Sequence, residues 1–237
     1  MPSLECTLTF TLIKLEKPEV DTSGQDSLFM GVKLAGSELF APEVSEPDAR
    51  QGIVMSAGPG RYSVNGVWIP NAVKAGDRVF FNEFAGYITN LDGLRAAGWD
   101  IPKEEIEDYR MIQEDSRGHT DIWAIINKDG SLTALADKVI VELIAGDDRT
   151  AGGIVLPETA IKHTRGKVIA VGPGRYELDE DTEEVTGKIE PIDLQVGDIV
   201  YVNNAGSRTK FNGKDMAIIP ERFIGGKQVE EAEQPAT

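Results

Sequence analysis

The pentapeptide Gly-Pro-Gly-Arg-Tyr occurs twice in this chain, at Gly58–Tyr62 and again at Gly172–Tyr176. A repeated turn constrains a fold only if other landmarks repeat in the same order, because each copy must then fold as the same unit. They do. Gly52 precedes the apolar stretch IVMSA before the first turn, and Gly166 precedes KVIAV before the second. Downstream, Pro70 leads to Gly76-Asp77 and the strand-like RVFF, as Pro191 leads to Gly197-Asp198 and IVYV. Upstream, Leu8, Phe10 and Leu12 alternate with Thr7, Thr9 and Thr11, while DKVIVELI from Asp137 occupies the matching place. Both read as strands with one buried face. Tyr109–Ile126 resembles Asp215–Ile224, an apolar strand, a charged turn and a second apolar run.

The 237 residues accommodate two units of about 110–120 residues, near the ordinary domain size. Asn65-Gly66 and Asn212-Gly213 are pairs that tolerate positive φ at both central positions of a tight hairpin. Short strands, frequent turns and little helical periodicity predict an all-β chain with one small antiparallel barrel per half. The expected divisions are a first domain over 1–127, a linker over 128–133, a second domain over 134–226 and a disordered acidic tail over 227–237. The first copy carries an insertion near 94–108, where Pro102 is placed as a first-turn residue of a short helix.

Charge narrows the partners. With 24 Lys and Arg against 40 Asp and Glu, the net charge is −16, which argues against nucleic acid and anionic membranes. No apolar run approaches the roughly 18 residues of a membrane helix, and a soluble cytoplasmic protein is expected. Cys6 is the single cysteine, which excludes an internal disulfide; it reads as an inert strand residue.

Candidate chemistry is sparse. His119 and His163 lack metal-ligand spacing and read as surface residues. Asp179, Asp181, Glu183 and Glu190 imitate a calcium loop, but Glu184 stands where that loop needs glycine, so a solvated acidic loop is expected. The repeated pentapeptide lacks the lysine and the following helix of a phosphate cradle and reads as a structural turn. No catalytic residue, metal or cofactor is expected, and the chain is not expected to be an enzyme.

The long polar segments remain. In the second copy, AGDDRTAGGIVLPETAIKHTRG sets the apolar triplet Ile154-Val155-Leu156 between Gly152-Gly153 and Pro157. The triplet reads either as a short edge strand packed at home or as a docking peptide that orders on a partner.

From Leu135 to Ile224 the second copy resembles the GroES co-chaperonin family, through DKVIVEL, TAGGIVLPE, TRGKVIAVGPGR, PIDLQVGDIVYVNNAG and MAIIPERFIG. The first copy is similar in more divergent form, through TFTLIKLE, ELFAPE, QGIVMSAGPGRY, KAGDRVFFNEFAG and YRMIQEDS followed by DIWAII. The tandem organisation also resembles that of chloroplast co-chaperonins. The resemblance implies two GroES-like barrels, each with a roof hairpin and a mobile loop, forming a lid that caps a GroEL-type chaperonin while client proteins fold inside. ATP would be bound by the partner. Carried onto this chain, the chaperonin contact is Gly152, Gly153, Ile154, Val155, Leu156 and Pro157. Candidates in the first copy are Leu39, Phe40 and Ala41, or the cluster Leu28, Phe29 and Met30. Family lids are sevenfold rings, which whole chains of two barrels cannot fill. The expected solutions are seven chains, with one barrel per chain in the capping layer and the other stacked above or outside it, or a ring of mixed or incomplete occupancy. The setting would be the bacterial cytosol, or a host cytosol if a virus encodes the chain. The alternative is a structural or scaffolding ring built on the same tandem barrel.

Overall fold

The computed structural model describes residues 10–16, 32–33, 40–41, 50–82, 84–86, 88, 101–113, 119–144, 165–202 and 207–228. The first half contains β1 (Phe10–Leu15), β2 (Val32–Lys33), β3 (Phe40–Ala41), β4 (Arg50–Ala57), β5 (Gly60–Tyr62), β6 (Trp68–Pro70), β7 (Arg78–Phe81), β8 (Tyr109–Gln113) and β9 (Ile122–Ile126). The second contains β10 (Leu132–Ala134), β11 (Lys138–Ile144), β12 (Arg165–Val171), β13 (Arg175–Leu178), β14 (Val185–Glu190), β15 (Ile199–Val202), β16 (Ser207–Phe211), β17 (Lys214–Pro220) and β18 (Ile224–Lys227). The chain is all-β, with antiparallel pairing throughout the described ladders.

Two sheets carry the fold. One runs β10-β9-β7-β4-β1-β8 and the other β16-β17-β11-β12-β15-β18. Their registers are the same. Leu12 faces Ser56 and Ile13 faces Val54, leaving Met55 as the extra residue of a bulge; Ile140 faces Ala170 and Val141 faces Val168, leaving Ile169. Phe80 faces Ala124 as Tyr201 faces Gly226, and the next pairs skip Trp123 and Gly225 respectively. A bulge re-aims the side chains beside it, so two bulges at matching positions show a duplicated unit in the backbone as well as in the sequence.

The cores match too. Ile13, Val54, Val79, Phe81 and Ile112 form the buried cluster of the first half, where Val141, Val168, Val200, Val202 and Ile219 form that of the second. The Gly-Asp landmarks are equivalent hairpin turns. Gly76 N–H donates to the Val54 carbonyl and Lys74 N–H to the Asp77 carboxylate, as Gly197 donates to Val168 and Gln195 to Asp198.

The pentapeptide is structural in both copies. Gly58 N–H donates to the Phe10 carbonyl and Gly172 N–H to that of Lys138, each at 2.9 Å. The chain then turns into the short hairpins β5–β6 and β13–β14. Gly174 has φ +114, and a Cβ there would stand 1.9 Å from the Glu190 carbonyl oxygen. Neither the dihedral nor the space suits a side chain. Gly174→Ala is expected to destabilise the chain by about 2 kcal/mol or more, on the scale of left-handed strain plus a backbone clash. Gly66→Ala, at φ +78 with open space around it, is expected to cost less. Urea unfolding of the two variants checks the order.

The two Asn-Gly turns differ. Asn212 and Gly213 both have positive φ, 51° and 75°, as a two-residue hairpin requires. At Asn65-Gly66 only Gly66 does, because the loop from Ser63 to Val67 is longer and is closed by Ser63 accepting from the N–H groups of Gly66 and Val67. The insertion forms a 3-10 helix over Lys103–Asp108, with Pro102 as its cap rather than inside its first turn; residues 94–100 lie outside the described part.

The segment read as a linker makes the principal joint of the molecule. Asn127–Ser131 is a tight turn in which Gly130 N–H donates to the Asn127 carbonyl and Ser131 N–H to the Asp129 carboxylate. It returns the chain as β10 along β9, with Leu132 facing Ile126 and Ala134 facing Ala124. The first residues of the second copy therefore complete the sheet of the first. Beneath this edge a third buried cluster combines Phe80, Ala124 and Ile126 from the first half with Ile140, Ala170 and Ile218 from the second. Phe80 and Phe211 meet edge to face with centroids 5.6 Å apart, a favoured aromatic geometry.

Candidate functional site

The long polar segments spring from equivalent strand pairs. In the second half, β11 ends at Ile144 and β12 begins at Arg165, and these two residues face each other across the ladder. The segment 145–164 thus leaves and re-enters the fold at one point. In the first half, Leu15 faces Gly52, and Glu16 N–H donates to the Gln51 carbonyl at 3.1 Å. Closing a long chain segment on a formed strand pair adds little strain, since closure entropy grows only slowly with length.

Packing leaves no room for a side chain at the first of the glycines at these bases and little at the second. A Cβ on Gly52 would lie 2.4 Å from Ile13 Cγ2, and one on Gly166 would lie 3.0 Å from Val141 Cβ. Charged groups brace the neighbouring strands. Arg78 Nε donates to Glu16 at 2.5 Å and its Nη2 to Gln51 at 3.1 Å, while Lys214 Nζ donates to Glu142 at 2.8 Å. These pairs are partly exposed, so they orient the base more than they stabilise it.

The predicted contact residues Gly152, Gly153, Ile154, Val155, Leu156 and Pro157 lie outside the described residues, as do Leu28, Phe29, Met30 and Leu39. Phe40 and Ala41 form β3, which pairs with β2 so that Lys33 faces Phe40 and Val32 faces Ala41. The first segment therefore contains a small ladder of its own. Cys6, His163 and the tail from 229 also lie outside the described part, and His119 is exposed.

The acidic lookalike is a hairpin turn. Asp179 accepts from the N–H groups of Asp181 and Thr182 and from the Thr182 hydroxyl, at 2.9 to 3.1 Å. The Thr182 N–H and hydroxyl, followed by the Asp181 N–H, hold the Asp179 carboxyl below its ordinary pKa. Glu183 takes positive φ. Asp179 Oδ1 is committed to shaping the β13–β14 connection, and among the described residues no cluster of three or more His, Cys, Asp or Glu could hold a metal ion. No described helix is long and apolar enough to cross a membrane.

Sequence reasoning missed the joint between the halves, although a signal was present. Ile122–Ile126 is apolar at every position, the pattern of a strand covered on both faces rather than one. It also missed the contact of the two short hairpins, where Asn65 Nδ2 donates to the Val185 carbonyl at 3.4 Å.

Two all-β copies in common register, each with a long segment joining neighbouring strand ends, define a duplicated antiparallel unit. The sequence profile of the chaperonin 10 kDa subunit family, Cpn10, matches residues 33–101 and 131–228. The chain belongs to that family, as a tandem member of GroES type. It is 39% identical over 94 residues to co-chaperonin GroES 3 of Bradyrhizobium diazoefficiens, covering 39% of this chain and 84% of the relative. Similar matches are the co-chaperonins GroES of Methylocella silvestris, 36% over 98 residues (40% of this chain, 96% of the relative), and of Bordetella avium, 41% over 96 residues (40% and 94%). The family is non-enzymatic, which accords with the sparse catalytic inventory of the sequence.

Proposed function

We propose that this protein is a co-chaperonin that caps a GroEL-type chaperonin and closes the chamber in which client proteins fold. The observation that carries the reading is the family match across 131–228, which spans the segment with Gly152–Pro157 between the paired ends Ile144 and Arg165. The rigid base sets where the segment starts, Gly152-Gly153 lets it move, and Ile154, Val155 and Leu156 supply the apolar anchor. One such anchor binds weakly, on the order of millimolar to micromolar, because its modest buried surface is offset by the ordering of its tether. Several anchors on one homo-oligomeric ring raise the effective concentration and convert weak contacts into capture. Nucleotide belongs to the chaperonin, and the cytosol is the setting in which the two meet.

The test mixes the full-length protein with a GroEL-type chaperonin and follows co-sedimentation and electron micrographs. Caps are expected with ATP or a slowly hydrolysed analogue and not without nucleotide. An assembled ring that binds the chaperonin in no nucleotide state overturns this reading in favour of a scaffold.

A further inference from the structure

We propose that the two short hairpins, β5–β6 of the first half and β13–β14 of the second, together form a docking surface for an extended polypeptide segment that carries both apolar and basic side chains. The surface is separate from the long segments assigned above to the chaperonin, and the proposal stands without capping. It starts from apolar side chains that the hairpins leave in solvent. Tyr62 and Trp68 are 69% and 43% exposed, and Val64 in the loop between them is 82% exposed. Leu178 and Ile189 are exposed on the second hairpin. Exposed apolar side chains gathered on adjoining elements mark interaction surfaces, whereas single scattered ones do not.

The two hairpins adjoin. Asn65 Nδ2 donates to the Val185 carbonyl at 3.4 Å, and a Cβ on Gly187 would stand 3.3 Å from Val67 Cγ1. The first hairpin therefore rests on β14 beside Ile189. Its aromatic pair is held in place. Tyr62 and Trp68 face each other across the ladder, with ring centroids 4.9 Å apart and planes at 60°. Trp68 also lies over Gly60, where a Cβ would come within 3.0 Å of its Cζ2. A pair fixed in this way offers apolar area at little ordering cost on binding.

Charge selects the occupant. In β13–β14 both basic side chains are already engaged, Arg175 with Glu190 at 2.6 Å and Lys188 with Glu177 at 3.5 Å. The connection between these strands adds Asp179, Glu180, Asp181, Glu183 and Glu184 with no basic residue among them. Glu184 directly precedes Val185, whose carbonyl receives Asn65, so the carboxylates border the apolar surface. Glu184 Oε2 is buried with no hydrogen-bond partner among the described residues, an acceptor that a guanidinium or ammonium group would satisfy. Such a surface attracts a basic segment and repels an acidic one, and an aromatic face gains further from a cation placed over it. A second copy of this chain presenting the same hairpins would instead set like charges together.

The experiment titrates a fluorescein-labelled peptide alternating leucine and arginine into the full-length protein, with the same peptide carrying glutamate for arginine as control. Only the arginine peptide is expected to bind, and more weakly as salt is added. A chain of net charge −16 attracts any cationic peptide, so the deciding variant leaves charge unchanged. Tyr62→Ser with Trp68→Ser should weaken binding at least about tenfold, as loss of aromatic anchors does, with the circular dichroism spectrum and the assembled mass unaltered. Should that variant unfold, Val64→Ser tests the same surface from an exposed loop position and should weaken binding about threefold. Glu184→Gln should weaken it by a similar factor and flatten the salt dependence. Parent-like affinity in the aromatic and Val64 variants would show attraction by net charge alone and overturn the proposal. So would a parent protein that binds neither peptide while the aromatic variant loses its assembled mass, since the hairpins would then belong to a contact between copies.

Discussion

Replacing Ile154 and Leu156 with serine is expected to abolish capture of a GroEL-type chaperonin in the presence of nucleotide while leaving the fold unchanged. Burying an aliphatic side chain of this size contributes about 1.5–3 kcal/mol, so losing two removes about 3–6 kcal/mol from each anchor. That is at least about a hundredfold per anchor, and because anchors on a ring act together the loss multiplies in the assembled lid. Co-sedimentation measures the effect, and the circular dichroism spectrum should match that of the parent protein. If capture survives unchanged, the working anchor lies in the first copy's segment, among Leu39, Phe40 and Ala41 or among Leu28, Phe29 and Met30. The segment leaves a completed strand pair at Ile144 and rejoins it at Arg165, so changes at its centre need not be felt by either sheet.

Phe80→Ala should have the largest effect on stability. Phe80 is fully buried, belongs to the cluster shared by both halves and packs edge to face on Phe211. Truncating such a side chain costs about 3–5 kcal/mol through lost burial and the cavity left behind. The counterpart Tyr201→Ala, at a side chain 48% exposed, should change stability by only about 0.5 kcal/mol, as surface substitutions do. Urea unfolding of the two variants separates them, and equal losses would show that Tyr201 is as tightly packed as Phe80.

Much of the fold was legible because it depends on local rules. The apolar run of β1, the glycines at 52 and 166, and the paired Gly-Asp turns marked elements that the structure contains. The single buried face expected of the first strands did not hold: Thr11, Leu12 and Ile13 are all buried, as are Lys138–Val141, because these strands are interior to their sheets and covered on both sides. The all-β class followed from them. Asn212-Gly213 formed its expected two-residue turn because nothing nearby competes, whereas Ser63 redirected Asn65-Gly66 through its own hydrogen bonds. Pro102 announced a helical turn but not its 3-10 form, in which the Tyr109 N–H closes on the Ile106 carbonyl. The stretch read as a linker was misjudged in character: its polar turn residues were recognised, but the strand that follows them, Leu132–Ala134, is too short to carry a periodic signal. The candidate contact residues were found through their apolar character between glycines and proline, and they remain a proposal founded on sequence.

By itself, the sequence determined that this protein is a duplicated all-β unit, because turn glycines, strand periodicity and their order act over a few residues at a time. It also placed the apolar triplet in a long polar segment of the second copy. Only the tertiary structure decided which equivalent surfaces are covered. Phe80 and Tyr201 occupy the same ladder position in their respective sheets, and local sequence offers no reason for one to be buried and the other exposed. The difference arises because β10 and the face behind it arrive from across the Asn127–Ser131 turn to cover the first edge. Burial at a sheet edge depends on what is brought beside it, and that is a property of the assembled chain.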